Sequence, residues 1–300
     1  MRALITGAAG FVGRHLTTLL NNLGDDVVGV DRETGPDLLD GDGWSALVHR
    51  VRPDAVYHLA GLSDVGGSWV TPRDTFRINA EGTLVVLQAC ISAGVERVLA
   101  VSSADVYGRV TLSELPLTED APLRPVSPYA ASKIAADHLA LQAHLGYGLA
   151  VMRVRAFNHL GPGQTNRFVA PALAERIALN EVEGGEEVPV GNMTPRRDFT
   201  DVRDVVRAYR LLIEHGEPGE AYNVCSGHDL AVSELADRLV AKADAPMRLE
   251  GDPSLQRTVD VPVLRGDYSR LNKTTGWEPE IDLDQTLTDL LEEWRDHVRR

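Results

Sequence analysis

Two side chains one helical turn apart, Tyr129 and Lys133 in Ser127-Pro128-Tyr129-Ala130-Ala131-Ser132-Lys133, are the pair in this chain best placed to move a proton. Pro128 suits a first helical position and Ser127 its N-cap, so phenol and ammonium share one helix face. A free phenol titrates at about 10, and a neighbouring cation stabilises the phenolate and brings it toward neutrality. Taken singly, Tyr-x-x-x-Lys is also what a solvated helix face produces. Upstream, Val101-Ser102-Ser103-Ala104-Asp105-Val106-Tyr107-Gly108 follows an apolar strand and sets a serine cluster at its carboxyl end, where open α/β sheets bind ligands. A hydroxyl there can bond a reacting carbonyl or alcohol.

Thr6-Gly7-Ala8-Ala9-Gly10-Phe11-Val12-Gly13 supplies the context that raises the pair above coincidence. Gly7 permits a tight turn, Gly10 a close backbone approach to a pyrophosphate, and Gly13 close helix–strand contact, while the helix that follows offers its N–H groups to negative charge. The spacing is Gly-x-x-Gly-x-x-Gly. Asp31, at the end of the second expected strand, can accept both hydroxyls of an adenosine ribose, which favours NAD(H); Arg32 beside it can pair with a 2′-phosphate and leaves NADP(H) open. A cationic nicotinamide ring would then add to the effect of Lys133 on Tyr129.

The elements that must carry these residues are legible as alternation. Ala3–Ile5, Asp26–Val30, Ala55–Leu59, Val98–Ser102 and Ala150–Val154 are short and apolar; Val12–Leu23, Trp44–Val51, Phe76–Ala93 and Tyr129–Leu145 carry helical periodicity between them. The expectation is an α/β fold, a Rossmann-type doubly wound parallel sheet covered on both faces. Val27-Val28-Gly29-Val30 reads as a buried parallel strand, apolar throughout. Beyond Gly161 the helices Phe168–Leu179, Val202–Glu214, Val232–Ala241 and Leu283–Val298 alternate with Pro- and Gly-rich loops, and Ala221–Val224 reads as a strand returning to the main sheet. This predicts a dinucleotide-binding domain over 1–160 plus about 198–226, and a smaller, partly discontinuous lobe over 161–197 plus 227–300. Glu181–Glu187 reads as a surface loop.

A net charge of −14 over 300 residues leaves no basic field to collect phosphates, which argues against nucleic-acid and anionic-membrane partners. The same acidity also serves solubility, and a few placed arginines can still hold an anionic ligand. Two cysteines, Cys90 and Cys225, without a Cys-x-x-Cys spacing suit a reducing compartment. No histidine cluster suggests a metal, and no apolar stretch reads as a span or signal, so a cytoplasmic enzyme is expected.

With these motifs in order, the chain resembles the extended short-chain dehydrogenases/reductases that act on nucleotide sugars, over nearly its whole length. His58-Leu59-Ala60-Gly61, Asn79 in Asn79-Ala80-Glu81-Gly82-Thr83, and Phe157-Asn158 add to the match. The resemblance implies that Ser103 is the catalytic hydroxyl, Tyr129 the acid/base, and Lys133 the binder of the nicotinamide ribose that also lowers the tyrosine pKa. It implies that Asp37-Leu38 borders the adenine, that Leu59, Ala60, Gly61 and Asn79 line the cofactor, and that Asn158, Arg197 and Arg257 hold the nucleotide diphosphate. Two guanidinium forks and an amide suit a diphosphate; structural salt bridges are the other use of those arginines.

Within the family, Asn158-His159-Leu160-Gly161-Pro162-Gly163-Gln164, Val190-Gly191-Asn192-Met193, Arg197 through Tyr209, and Tyr222-Asn223-Val224-Cys225-Ser226-Gly227 are similar to the GDP-4-keto-6-deoxy-D-mannose reductases, with GDP-mannose 4,6-dehydratases as the nearest rival. The dehydratases carry a glutamate where this chain has Asp105, one methylene shorter. Asp105 therefore reads as a turn cap or substrate ligand ahead of a general base. His58 and His159 read as packing or loop residues, and Tyr107 as packing beside the site or touching the sugar. The resemblance implies NAD(P)H-dependent reduction of a GDP-linked keto-deoxy sugar to GDP-D-rhamnose, with a dehydratase, an epimerase, or a dinucleotide-binding protein without catalysis as alternatives. It also implies a homodimer paired through the helices Phe76–Ala93 and Tyr129–Leu145.

Overall fold

The computed structural model describes residues 1–255 and 261–299. In chain order the first half runs β1 (Arg2–Thr6), α1 (Phe11–Asn22), β2 (Asp26–Val30), α2 (Gly41–Val51), β3 (Ala55–His58), α3 (Pro72–Phe76), a π-helical segment Arg77–Glu81, α4 (Gly82–Ala93), β4 (Arg97–Val101), α5 (Pro128–Tyr147) and β5 (Val151–Ala156). The second half runs β6 (Asn158–Leu160), α6 (Val169–Glu183), β7 (Glu187–Val190), β8 (Arg196–Asp201), α7 (Val202–His215), β9 (Ala221–Val224), β10 (Asp229–Ala231), α8 (Val232–Val240), β11 (Arg248–Gly251), β12 (Val263–Leu264), α9 (Ser269–Thr275) and α10 (Leu283–Val298).

The main sheet has the order β2-β1-β3-β4-β5-β9 with every neighbour parallel. Strand order reverses at β1, so a crevice opens between the carboxyl ends of β1 and β3, the place where doubly wound sheets take a ligand. Apolar residues three and four apart bury one face of each covering helix: Gly13, Leu16 and Leu20 on α1, and Val202, Val205, Val206, Tyr209, Leu212 and Ile213 on α7. Each fully buried leucine there contributes roughly 1.5–3 kcal/mol. The expected return of Ala221–Val224 to the sheet is found in β9, paired to β5.

Three expectations change. β2 is the sheet edge, so of Val27-Val28-Gly29-Val30 only Val30 is buried. The acidic run 181–187 is not simply a loop. Glu181 ends inside α6, where its carboxylate takes Arg295 of α10 at 2.6 Å, and Glu187 opens β7. Segment 268–277, expected in the smaller lobe, packs on the larger core through Leu271 and Trp277, because the indole N–H reaches the Asp204 carbonyl of α7 at 3.0 Å. The second core lies among α6, α8 and α10, over the small sheet β10-β8-β12, with β6 also paired to β8. Among the described residues no helix is long and apolar enough to cross a membrane.

Candidate active site

The turn after β1 is packed so tightly that side chains are excluded from it. Gly7 has φ +73°, and a Cβ there would stand 3.0 Å from the Ala60 backbone nitrogen; a Cβ on Gly13 would stand 2.2 Å from the Gly7 carbonyl oxygen. α1 begins at Phe11 with Gly10 as its N-cap, no side-chain cap and no acidic residue in its first turn, leaving its N–H groups facing outward. Val12 packs into the larger core, and the Phe11 ring stacks on His159 with centroids 6.0 Å apart. A cradle that any Cβ would fill, at the end of an uncapped helix, fits a dinucleotide pyrophosphate.

Where the adenine is expected, the Asp31 carboxylate accepts from the Glu33 backbone N–H at 2.8 Å and is half-buried, while Arg32 is exposed. Asp37 accepts from Leu39 N–H, and its carbonyl holds the Trp44 indole at 3.0 Å. Leu38 lies against Gly82 at the start of α4. These residues follow β2, the strand paired with β1 beside the Gly-rich turn.

The loop after β3 joins the Gly-rich turn to the reactive corner. Leu59 N–H bonds the Thr6 carbonyl, Ala60 N–H bonds the Thr6 hydroxyl, and a Cβ on Gly61 would fall 2.8 Å from Asn79 Oδ1 and 3.7 Å from Lys133 Nζ. Asn79, wholly buried in the π-helical segment, receives Leu62 N–H at 2.7 Å and donates to the Leu62 carbonyl and to Ser132 Oγ. His58 is buried between Thr6 and Thr83. Burial, reinforced by the Lys133 charge, lowers its pKa to about 3, so the ring is neutral.

Ser103, Tyr129 and Lys133 converge as expected from their motifs. Ser127 caps α5 by accepting Ala130 N–H at 3.1 Å, with Pro128 in the first helical turn. The Tyr129 phenol faces the Ser103 hydroxyl, and Ser103 Oγ accepts the Asp105 N–H at 3.1 Å. Lys133 Nζ donates to the Val101 carbonyl at 2.9 Å, and burial lowers its pKa to about 8. Tyr129 departs from the expectation. Burial first and the Asp105 charge second push its pKa above the ordinary phenol value, with Ser103 opposing, so the chain alone holds the phenol as an acid.

The expected substrate residues lie farther along. Asn158, exposed on β6, and Arg197, on β8, line one cleft of about 310 Å³ in the smaller lobe. Arg197 donates to the carbonyls of Arg196 and Val261, at 2.9 and 2.7 Å. Its neighbour Asp198 is wholly buried and accepts the N–H groups of Ser226, Gly227 and Gly266. Arg257 lies outside the described residues. The same cleft is lined by two arginines that sequence reasoning passed over, Arg167 and Arg176. Their only signal was one cation just before the expected helix Phe168–Leu179 and one inside it.

A second omission lies beneath the site. Asp137, one turn beyond Lys133, is buried and takes both Arg153 at 2.7 Å and Arg155 at 3.3 Å from β5. The signal was present: two arginines at alternate positions of an otherwise apolar strand face one side. Tyr107 belongs here and not against a sugar. It is fully buried, donates to Asn223 Oδ1 at 2.6 Å and receives Arg155 at 3.2 Å.

Residues 3–225 match the pattern of the NAD dependent epimerase/dehydratase family. The chain is 40% identical to GDP-6-deoxy-D-mannose reductase of Pseudomonas aeruginosa, across 99% of this chain and 98% of that one. Among solved structures it is similar to RMD from Pseudomonas aeruginosa complexed with NADPH, with TM-score 0.91, 38% identity and 99% of each chain covered. It is also similar to the UDP-glucose 4-epimerase of Thermus thermophilus in complex with NAD, with TM-score 0.88, 29% identity, and 98% and 99% covered.

Proposed function

We propose that this chain, which belongs to the NAD dependent epimerase/dehydratase family, reduces the C4 ketone of GDP-4-keto-6-deoxy-D-mannose to give GDP-D-rhamnose. The observation that carries the chemistry is the Tyr129 phenol, almost wholly buried and facing Ser103, where burial favours its acid form. A ketone gaining hydride needs a proton donor at its oxygen, and a phenol kept in its acid form is that donor. Full-length likeness to the Pseudomonas reductase supports the choice of sugar.

When bound, a reduced nicotinamide dinucleotide supplies the hydride. The turn Gly7–Gly13 with Phe11 and Val12, the stretch after β2 with Asp31, Asp37 and Leu38, the loop Leu59–Gly61, and Asn79 would hold it. Asp31 supports NAD(H) as the working cofactor, being the acceptor a free ribose needs, and Arg32 is what admits NADP(H). Ser103 and Tyr129 grip the ketone oxygen, and Tyr129 delivers its proton as charge develops there. Lys133, still largely charged at neutral pH, faces the ribose side beyond Gly61 and favours the phenolate that is left. Asn158 and Arg197, with Arg257, are the proposed diphosphate ligands, and Asp105 a ligand of the sugar.

We assign 1–160 plus about 198–226 to the dinucleotide, and the remainder apart from 268–277 to the sugar nucleotide. Two buried free cysteines support a cytoplasmic setting, and outward apolar residues such as Phe76 at the end of α3 and Leu145 on α5 support pairing of two copies along the helices Phe76–Ala93 and α5. The deciding experiment offers GDP-4-keto-6-deoxy-D-mannose with NADH or NADPH and follows reductant loss and sugar product together. Stoichiometric oxidation with GDP-D-rhamnose appearing is expected. Formation of a keto sugar from GDP-mannose without net reductant use would instead establish a dehydratase, and preference for NADPH would reassign the ribose end to Arg32.

A further inference from the structure

We propose that His58 is a positioning residue, the middle of a one-way hydrogen-bond chain that fixes the catalytic helix relative to the dinucleotide loop. The direction of every link follows from which oxygen has a proton to give. The Thr83 hydroxyl donates its proton to the Asn79 carbonyl at 2.6 Å, so His58 Nε2, 3.0 Å away, must be the donor to Thr83 Oγ1. Nδ1 is then the acceptor and takes the Thr6 hydroxyl proton at 2.9 Å, which leaves Thr6 Oγ1 free to accept Ala60 N–H at 3.1 Å. Beyond the backbone of Asn79, its side-chain amide donates to Ser132 Oγ at 2.9 Å, and Ser132 donates to the Tyr129 carbonyl at 2.7 Å.

Donors thus point from Ala60, in the loop facing Gly7, to Tyr129 on α5, through Thr6, His58, Thr83, Asn79 and Ser132. The side chains of Thr6, His58, Thr83 and Asn79 are each almost fully buried, and Ser132 is wholly buried. A chain with all donors aligned has one arrangement, and reversing any link leaves a buried polar atom unsatisfied. An imidazole of fixed tautomer, donating at one nitrogen and accepting at the other, spans from β1 to α4 in this way. The Lys133 charge, which faces the ring, adds to burial in keeping it neutral. His58 makes no approach to the reacting atoms; it acts through Asn79 and Ser132.

The inference rests on Tyr129 as proton donor, so its test has readouts independent of turnover. Imidazole ¹⁵N shifts of the whole protein labelled at histidine should give His58 as the Nε2–H tautomer from pH 5 to 8, and an Nδ1–H or averaged ring overturns the chain. His58→Leu and Thr83→Val are compared with His58→Gln, whose amide can both donate and accept, each rate being taken per dinucleotide-binding site titrated by fluorescence. The two disrupting variants should lose about 10–100-fold in kcat per site. The sugar KM should stay within about twofold, His58→Gln should recover most of the loss, and the double variant should be no worse than the poorer single. An unchanged kcat per site, or additive losses, overturns the proposal. If the keto sugar is the wrong substrate, wild type itself will not turn over, while the tautomer and the dinucleotide affinities still report on the chain.

Discussion

The reactive corner and the arginine cleft are built on opposite plans. At the corner, the side chains of Ser103, Lys133 and Asn79 have hydrogen-bond partners within the chain, and Tyr129, Lys133 and Asn79 are almost wholly buried. In the cleft, Asn158 and Arg167 are exposed, and Arg197 reaches carbonyls from a half-buried position. The first plan fixes geometry before a ligand arrives. The second leaves Asn158 and Arg167 open to solvent, where the proposed diphosphate would displace water. Chemistry is therefore preorganised and recognition is assembled on binding, which predicts that the two regions answer substitution in different kinetic constants.

The sharpest way to break that contrast is Tyr129→Phe. Turnover should fall by about 10²–10⁴-fold while dinucleotide affinity, measured by fluorescence, stays near wild type. A comparable loss of affinity would mean that the phenol binds more than it reacts. Next comes the floor under the corner. Asp137→Ala leaves two buried guanidiniums without their carboxylate, and unfolding free energy in urea should drop by about 3–5 kcal/mol. A smaller loss would show that the corner does not depend on its foundation.

On the cleft side, Arg197→Met should raise the sugar-nucleotide KM, forfeiting about 1.5–3 kcal/mol of charge-assisted bonding with kcat little changed. A fall confined to kcat would erase the distinction between the regions. The mildest test is pH. Lys133 titrates at about 8, and its proton is lost as pH rises, so kcat/KM for the dinucleotide should decline above about pH 8 and change little below it. Stability moves the other way. From pH 8 toward the ordinary lysine value the unfolded chain holds a proton the folded one lacks, so that residue's penalty on the fold is relieved as pH rises.

The corner was readable in the sequence because its residues sit in short local patterns. A glycine turn between strand and helix, a serine run after a strand, and Tyr-x-x-x-Lys behind a Ser-Pro cap each declare their own backbone. Chain order then brought them together, and the helix limits Leu283–Val298 were met to the residue. Long-range partners were not readable. Asp137 with Arg153 and Arg155, or His58 between Thr6 and Thr83, are defined by sheet register. Short strands such as β6 and β8 carry polar and charged residues where a buried strand should be apolar, and β12 is only two residues long, so none left a periodic signal. Spacing reveals the cation one turn from Tyr129, whereas the burial of its phenol and the placement of Asp105 are set by the fold.

The turn proposed to cradle a pyrophosphate also bolts the lobes together. The Phe11 ring lies on His159, Arg14 of the same helix donates to the Gly163 carbonyl at 2.7 Å, and His15 meets the Pro162 carbonyl at 2.7 Å. The entrance to the smaller lobe is thereby riveted to α1, next door to Asn158. A ligand that orders the first turn of α1 would through these contacts also bear on the loop 161–163 beside the proposed sugar-nucleotide cleft. If ligands bind at both ends as proposed, any coupling carried by these contacts would be equal in both directions.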